Sequence, residues 1–345
     1  MTALPRVLAL HPLPAGVVTT LERDARVDFW DGAAPLAEVV ARSDGLLCQL
    51  TDRIDAAVLE VAAGLRVVSS VSVGLDHVDL ARATRLGIPV GHTPGVLVET
   101  TADLAFGLLL AAARRIAEGD RFVRSGAWSR VGAAPGGPGW SPDLLLGRDV
   151  HGATLGIVGL GEIGRAVARR AEGFGMRILG WSRSQREVPG VTPATLPALL
   201  EAADFVTVHV ALTPETKGLL GRDQLARLRP GAIVVNTARG GIVDEDALVE
   251  ALRAGRVAAA GLDVFAREPL PERSPLVTLE NVVLTPHIGS ASVETRRRMA
   301  SLAVENVRAG LAGRRLPRCA NPEVYETEAY RSRRQRARNA SGDTT

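Results

Sequence analysis

Three side chains stand just beyond apolar runs and could act as a set. Arg239 follows "AIVVNTA", Glu268 lies a few residues past "AAAGLDV", and His287 follows "VVLTP". An imidazole titrates near neutrality, so His287 is the natural donor of a proton to a developing oxyanion. A carboxylate such as Glu268 favours the charged imidazole. A guanidinium such as Arg239 clamps a carboxylate in a fork and polarises a carbonyl beside it. Together these types suit the reduction of a ketone that carries a neighbouring carboxylate. Taken singly, each has an ordinary explanation: a loop arginine, a glutamate paired with Arg267, a satisfied loop histidine. Their common position after strands favours the functional reading, because open parallel sheets bind ligands beyond the carboxyl ends of their strands.

Such a reduction needs a hydride, and "GLGEIG" points to its source. Gly159, Gly161 and Gly164 follow the strand "TLGIV" and open the helix "EIGRAVARRAEGFG". Gly159 permits the tight turn, Gly161 lets the backbone approach a pyrophosphate, and Gly164 lets helix and strand pack closely. The pyrophosphate would sit at the helix N-terminus, on free N–H groups of the Glu162–Ile163 turn. Eighteen residues beyond Gly164 comes Ser182, within "GWSRSQ". An acid there would bind ribose hydroxyls and repel a 2′-phosphate. The stretch offers Ser182, Arg183 and Ser184 instead, and Ser182 and Arg183 can hold a phosphate. NADP is therefore the expected cofactor, with NAD possible, and the nearby Glu187 works against that preference if its loop folds inward.

The elements that position these residues fall into two blocks. In the first, "RVLAL", "GLLCQL", "RVVSSVSV" and "IPVGHT" read as strands buried on both faces, as in parallel sheets. In the second, "TLGIVG", "RILGWS", "FVTVHV", "AIVVNT", "AAAGLDV" and "VVLTP" alternate with amphipathic helical stretches. Six strands so separated argue for a doubly wound α/β sheet. "ETTADLAFGLLLAAARR" is expected to be a long buried helix opened by a Thr100-x-x-Asp103 cap. "VGAAPGGPGW" reads as a glycine- and proline-rich loop, and "SVETRRRMASLAVENVRAGLAG" as a final helix returning to the first block. The expected boundaries are 1–99, completed by 292–320, for one domain and 100–291 for the cofactor domain. Residues 321–345 are polar and basic and are expected to be disordered.

Bulk properties set the frame. A chain of 345 residues suggests about two domains. The net charge of +3 is carried largely by the tail "RSRRQRAR", so no nucleic-acid surface is expected. Two cysteines, Cys48 and Cys319, cannot form a disulfide framework and fit a reducing compartment. The apolar run "LAFGLLLAAA" is too short to span a bilayer, which takes about 20 residues. The N-terminal stretch, broken by proline, makes no convincing signal peptide. A cytoplasmic enzyme with no metal centre and no membrane partner is expected.

The chain resembles the D-isomer-specific 2-hydroxyacid dehydrogenases. The resemblance rests on "SVGLDHVD", "TPGVLVETTADLAFGLLL", "LGIVGLGEIGRAVARRAEGFGM", "LTPETKGLL", "VVNTARGGIVDEDAL", "AAAGLDVFAREPLP" and "NVVLTPHIGSAS", in that order. It implies two Rossmann-like domains, one of them a flavodoxin-like substrate domain, with the active site in the cleft between them. It implies that Arg239, Glu268 and His287 are catalytic. Val73 and Gly74 would offer N–H groups to the substrate carboxylate, and Asp263, Thr237, Ala238 and Gly289 would surround the nicotinamide. Thr101 and Thr216 would be further cofactor contacts. A homodimer through the cofactor domain is implied too, with Trp140 a residue that could reach the neighbouring site or simply anchor its loop.

"LLCQLTDRID" and "EPLPERSPLVTLENVVLTPHIGSAS" make the chain most similar to the glyoxylate and hydroxypyruvate reductase branch, with Leu50 beside a small substrate group. The missing acid at Ser182 puts NAD use in doubt, and Glu268 disfavours formate as substrate. Two alternatives keep the same fold and trio: a reductase of larger sugar acids such as 2-ketogluconate, and a nucleotide-sensing corepressor-like protein.

Overall fold

The computed structural model describes residues 4–14, 16–130, 141–184 and 187–341, which divide into two compact units. The first comprises residues 1–97 and 291–345, the second residues 98–290. The whole glycine- and proline-rich loop, residues 131–140 with Trp140, lies outside the described residues.

In the first unit the strands are β1 (Arg6–Ala9), β2 (Arg26–Phe29), β3 (Gly45–Cys48), β4 (Val67–Ser70) and β5 (Val90–Gly91). All pair in parallel, in the order β2-β1-β3-β4-β5. This is the flavodoxin-like order, in which the winding reverses between β1 and β3. Every residue of β3 and β4 is buried, as their apolar runs demand. One face of the sheet packs on the Val293–Leu311 helix through Met299, Ala303, Val304 and Val307. The other face packs on Val40, Val58, Leu59 and Ala83.

Strand β2 was not among the expected strands. It is an edge strand, its pattern is mixed, and its Asp28 is bonded by Arg6 (2.9 Å) and Arg26 (3.1 Å). A strand stabilised this way carries no apolar run to read.

The expectation of disorder from residue 321 on is overturned for the described residues, up to 341. Pro322–Glu326 forms a 3-10 turn and Glu328–Ser341 an α-helix. Asn321 is buried, accepts from the Val90 N–H (2.8 Å) and donates to the Ile88 carbonyl (3.1 Å). Tyr325 is buried and its hydroxyl accepts from the Leu316 N–H (2.8 Å). The helix passes so close to Gly87 that a Cβ there would overlap the Tyr330 backbone nitrogen. A few specific anchors hold a segment whose average composition is that of a solvated tail.

The second unit has β6 (Thr154–Val158), β7 (Arg177–Trp181), β8 (Thr192–Pro193), β9 (Phe205–Val208), β10 (Ala232–Asn236), β11 (Val257–Leu262) and β12 (Val282–Leu284). The order is β8-β7-β6-β9-β10-β11-β12, all parallel. The winding reverses between β6 and β9, which makes the crevice beyond their carboxyl ends the expected ligand site. The six expected strands are present, and β8 is a two-residue edge addition containing Pro193, where a missing N–H is tolerated.

The long helix runs from Val98 to Ala113 and is buried along Ala102, Ala105, Phe106 and Leu109 against β10, β11 and the Glu162–Gly173 helix. The expected Thr100–Asp103 cap is not formed, because both residues lie inside the helix. Asp103 instead accepts from the Arg170 Nε (2.8 Å) on the neighbouring helix. Among the described residues no helix is long and apolar enough to cross a membrane, and no cluster of three potential metal ligands occurs.

Candidate active site

The glycine loop lies at the reversal between β6 and β9. Gly159 has φ of 110°, and a Cβ there would come within 2.7 Å of the His209 carbonyl. A Cβ on Gly164 would overlap the Gly159 carbonyl oxygen, whereas Gly161 faces open space. Gly161 caps the Glu162–Gly173 helix without a side-chain hydrogen bond, so the first N–H groups of this helix have no side-chain cap among the described residues. Glu162 is exposed, and Ile163 packs on the core. Two buried polar atoms beyond neighbouring strands, Thr237 Oγ1 and His209 Nδ1, have no hydrogen-bond partner among the described residues. An open cradle, an uncapped helix and orphaned polar atoms are what a dinucleotide would satisfy. The residues present therefore fit NAD(P).

Ser182 follows β7 and donates to the Ser184 carbonyl (2.6 Å). Arg183 is exposed and its Nη1 lies 3.7 Å from a Glu215 carboxylate oxygen. Glu215 comes from the "LTPET" loop after β9 and could not be paired with Arg183 from sequence. In that loop the Thr216 hydroxyl donates to the Ala211 carbonyl (2.6 Å) and accepts from the Thr213 N–H (2.8 Å). Thr216 thus builds its own turn.

The catalytic candidates are set by three adjacent strands. At the end of β10, buried Asn236 accepts from the Ala238 N–H (3.0 Å) and donates to the Arg239 carbonyl (2.9 Å). This shapes the Arg239 turn, and Asn236 is a positioning residue that sequence reasoning missed. Beyond β11, Asp263 is fully buried. Its carboxylate accepts from the Thr285 hydroxyl (2.6 Å) and from the N–H groups of Ile288 and Gly289 (both 2.8 Å). Burial pushes this carboxyl above its ordinary value, against the pull of those three donors and of the His287 charge. The resemblance implies that Asp263 lies by the nicotinamide; its oxygens hold the turn that carries His287. A Cβ on Gly289 would meet Asp263 and Thr101 at 3.3 and 3.4 Å, so Thr101 and Gly289 stand together here.

His287 itself has φ of 53°, a left-handed conformation that costs a non-glycine residue about 1 kcal/mol or more. Its N–H donates to the Asp263 carbonyl (2.9 Å), which helps hold that conformation. His287 Nδ1 lies 2.7 Å from Glu268 Oε2, and both side chains are about three-quarters covered. The other Glu268 oxygen accepts from the Phe265 N–H (3.0 Å). Burial pushes the Glu268 carboxyl up. The His287 hydrogen bond, the Phe265 N–H and the charges of His287 and Arg239 outweigh it, and the group stays below its ordinary value. An ionised Glu268 accepts only, so Nδ1 of His287 carries a proton. Nε2 is thereby left for chemistry. Arg239 is half-buried and donates to the Ala238 carbonyl (2.8 Å).

Leu50, Val73 and Gly74 belong to the first unit and are partly exposed at the carboxyl ends of β3 and β4. The Gln49 N–H donates to Asp52 (2.7 Å), which pairs with His11 (2.7 Å) and so fixes the turn carrying Leu50.

A doubly wound parallel sheet with a dinucleotide loop and an acid–imidazole pair beyond its strands defines a nicotinamide-dependent oxidoreductase. The chain belongs to the D-isomer-specific 2-hydroxyacid dehydrogenases: the family's NAD-binding domain matches residues 106–289. It is 49% identical over 331 residues to the glyoxylate reductase of Korarchaeum cryptofilum, covering 93% of this chain and 97% of that one. The glyoxylate reductase of Thermococcus litoralis is 43% identical over 329 residues, 93% of this chain and 98% of that one. A crystal structure from Thermus thermophilus superposes with a TM-score of 0.85 at 49% identity, covering 91% of this chain and 99% of its own. An NADPH-dependent glyoxylate/hydroxypyruvate reductase of Sinorhizobium meliloti, solved with NADP and malonate, gives a TM-score of 0.80 at 34% identity over 94% and 97% of the two chains.

Proposed function

We propose that the protein is an NADPH-preferring reductase of small 2-oxoacids, glyoxylate and hydroxypyruvate, to D-2-hydroxyacids. The observation that carries this reading is the 2.7 Å His287–Glu268 contact at the carboxyl ends of the cofactor-unit strands. The cofactor, when bound on Gly159, Gly161, Gly164 and the Glu162–Ile163 turn, supplies the hydride. Arg239 binds the substrate carboxylate and polarises the carbonyl. His287 then gives its Nε2 proton to the carbonyl oxygen, and Glu268 holds the ring through Nδ1 throughout. Leu50, Val73 and Gly74 are proposed as substrate contacts, and Thr101, Thr237, Ala238 and Gly289 as contacts of the nicotinamide half. The glyoxylate reductase relatives support the substrate class. Two free cysteines support a reducing, cytoplasmic setting.

The NADPH preference rests on Ser182 and Arg183 in place of an acid. Arg183 is exposed and its only ion pair among the described residues is the loose one with Glu215, so it is free to turn to a 2′-phosphate. Steady-state reduction of both oxoacids should give a higher kcat/KM with NADPH than with NADH. Arg183→Ala should cost about ten- to a hundredfold in affinity for NADPH and little for NADH, since a bond to a charged partner is worth about 1.5–3 kcal/mol. An NADH preference in the wild type would remove the cofactor assignment and leave the reaction standing.

A homodimer through the cofactor unit is proposed as well. The helices Ile116–Arg124 and Ala127–Arg130 bury none of their residues, and Ile116, Val123, Trp128 and Leu146 are all at least half exposed. So much apolar surface in one segment is what a second copy would cover. Sedimentation velocity should give twice the chain mass; a monomer at micromolar concentration would refute it.

A further inference from the structure

The turn Ser72–Val73–Gly74 follows β4, and all three of its carbonyl oxygens are engaged. The Ser72 carbonyl accepts from the Thr93 N–H (2.8 Å). The Val73 carbonyl accepts from His92 Nδ1 (3.2 Å), and the Gly74 carbonyl accepts from the Ser72 hydroxyl (2.8 Å). Neither the Val73 N–H nor the Gly74 N–H donates a hydrogen bond among the described residues. The turn thus has its acceptors tied down and consecutive donors left over, the arrangement of a backbone anion receptor.

A partly buried side-chain relay adjoins it. Ser72 Oγ is 2.7 Å from Ser70 Oγ, and Ser70 Oγ is 2.9 Å from His77 Nε2. Proton bookkeeping leaves one orientation. The Gly74 carbonyl can only accept, so the Ser72 proton is used there. Ser70 must therefore give its own proton to Ser72, and it must accept from His77. The relay runs His77 Nε2–H to Ser70, Ser70 to Ser72, and Ser72 to the Gly74 carbonyl, with each hydroxyl both donating and accepting.

We propose that this relay, with His92, pre-organises the Ser72–Gly74 turn as a rigid receptor for the substrate carboxylate. Ser70, Ser72, His77 and His92 are then positioning residues for substrate binding. The proposal rests on the reading of Val73 and Gly74 as carboxylate contacts. A receptor fixed before the ligand arrives has no ordering cost left to meet on binding. Loosening it raises KM and leaves the proton donor and the hydride step alone.

The test uses the full-length protein with NADPH bound and oxamate as the carboxylate probe. In the wild type the backbone amide resonances of Val73 and Gly74 should shift as oxamate is added. Ser72→Ala should weaken oxamate and raise the glyoxylate KM by about five- to tenfold, the worth of about one hydrogen bond, with kcat and NADPH affinity unchanged. His77→Phe should do the same, and His77→Gln, whose amide can still donate, should recover most of the loss. These two variants carry the test if Ser72→Ala does not fold. Shifted amides together with unaltered oxamate affinity in Ser72→Ala and His77→Phe would overturn the relay while sparing the carboxylate reading. A fall in kcat at constant KM would overturn it too, by reducing the relay to a packing role. Amides that ignore oxamate would sink the carboxylate reading and the relay with it.

Discussion

His287→Ala should lower kcat for oxoacid reduction by about two to four orders of magnitude, the usual worth of a positioned general acid. NADPH binding should be unchanged, because the glycine loop and Thr237 belong to other turns. The size of the effect follows from the geometry. His287 is held in a left-handed conformation by the Asp263 carbonyl, and its Nδ1 is committed to Glu268. Water can replace neither the position nor the paired carboxylate. Glu268→Gln should cost less, since an amide oxygen can still accept from Nδ1 while the Phe265 N–H then faces an NH2 group. The charge of Glu268 also leaves a signature in stability. Its folded pKa is lowered, so its contribution is present above the ordinary carboxylate value and is lost as pH falls through the lowered one. Thermal melting of wild type and Glu268→Gln should therefore differ at pH 7 and converge in strong acid. Surviving turnover in His287→Ala would mean that the proton comes from another group.

The parts of the fold that were legible are those where burial acts on both faces. The runs "GLLC", "VVSS" and "AIVVN" are continuous because parallel strands between two helical layers have no solvent side. Strand β2 was illegible for the converse reason. It sits at an edge, is stabilised by ion pairs of Asp28, and shows no periodicity. The capping pattern Thr100-x-x-Asp103 misled because it is a local rule, whereas Asp103 answers to Arg170 on another helix, 67 residues away.

The site divides along the same line. The glycine loop could be read because its spacing is dictated by contacts within one strand–turn–helix unit, which a Cβ on Gly164 would break. The convergence of Arg239, Glu268 and His287 could be argued only from their place after strands. What could not be read were groups defined by distant partners: Glu215 beside Arg183, Asn236 shaping the Arg239 turn, and the Ser70–Ser72–His77 relay. Asp263 is a further case: the resemblance offers it as a nicotinamide neighbour, and only its distant partners show that each of its oxygens is bonded to the turn that carries His287.

Arg333→Met should destabilise the first unit by about 3 kcal/mol. The "RSRRQRAR" run reads as solvated charge, but its Arg333 is buried. The Arg333 guanidinium donates to four backbone carbonyls: Leu86 (3.1 Å), Ala62 (3.1 Å), Ala63 (2.9 Å) and Leu65 (2.6 Å). No carboxylate is among these partners. Burial, with a smaller push from Arg336, brings its pKa down to about 10, so it remains charged at neutral pH. These carbonyls end short helical turns, where a cation meets the negative end of the helix dipole. Methionine keeps much of the volume and removes every donor. The Leu86 and Ala63 oxygens are partly exposed and can turn to water. The Ala62 and Leu65 bonds are buried, and each orphaned acceptor there costs about 1–3 kcal/mol. For a unit of this size that loss lowers the melting temperature by about 6–12 °C. Arg333→Lys should fall between the two, because an ammonium carries three donors but not the planar fork that reaches several carbonyls at once. Arg334→Met, on an exposed neighbour of the same helix, should melt like the wild type. If Arg333→Met did so as well, the tail would be held by Tyr325 and Asn321 alone, and the buried guanidinium would be a passenger on a helix docked by its other end.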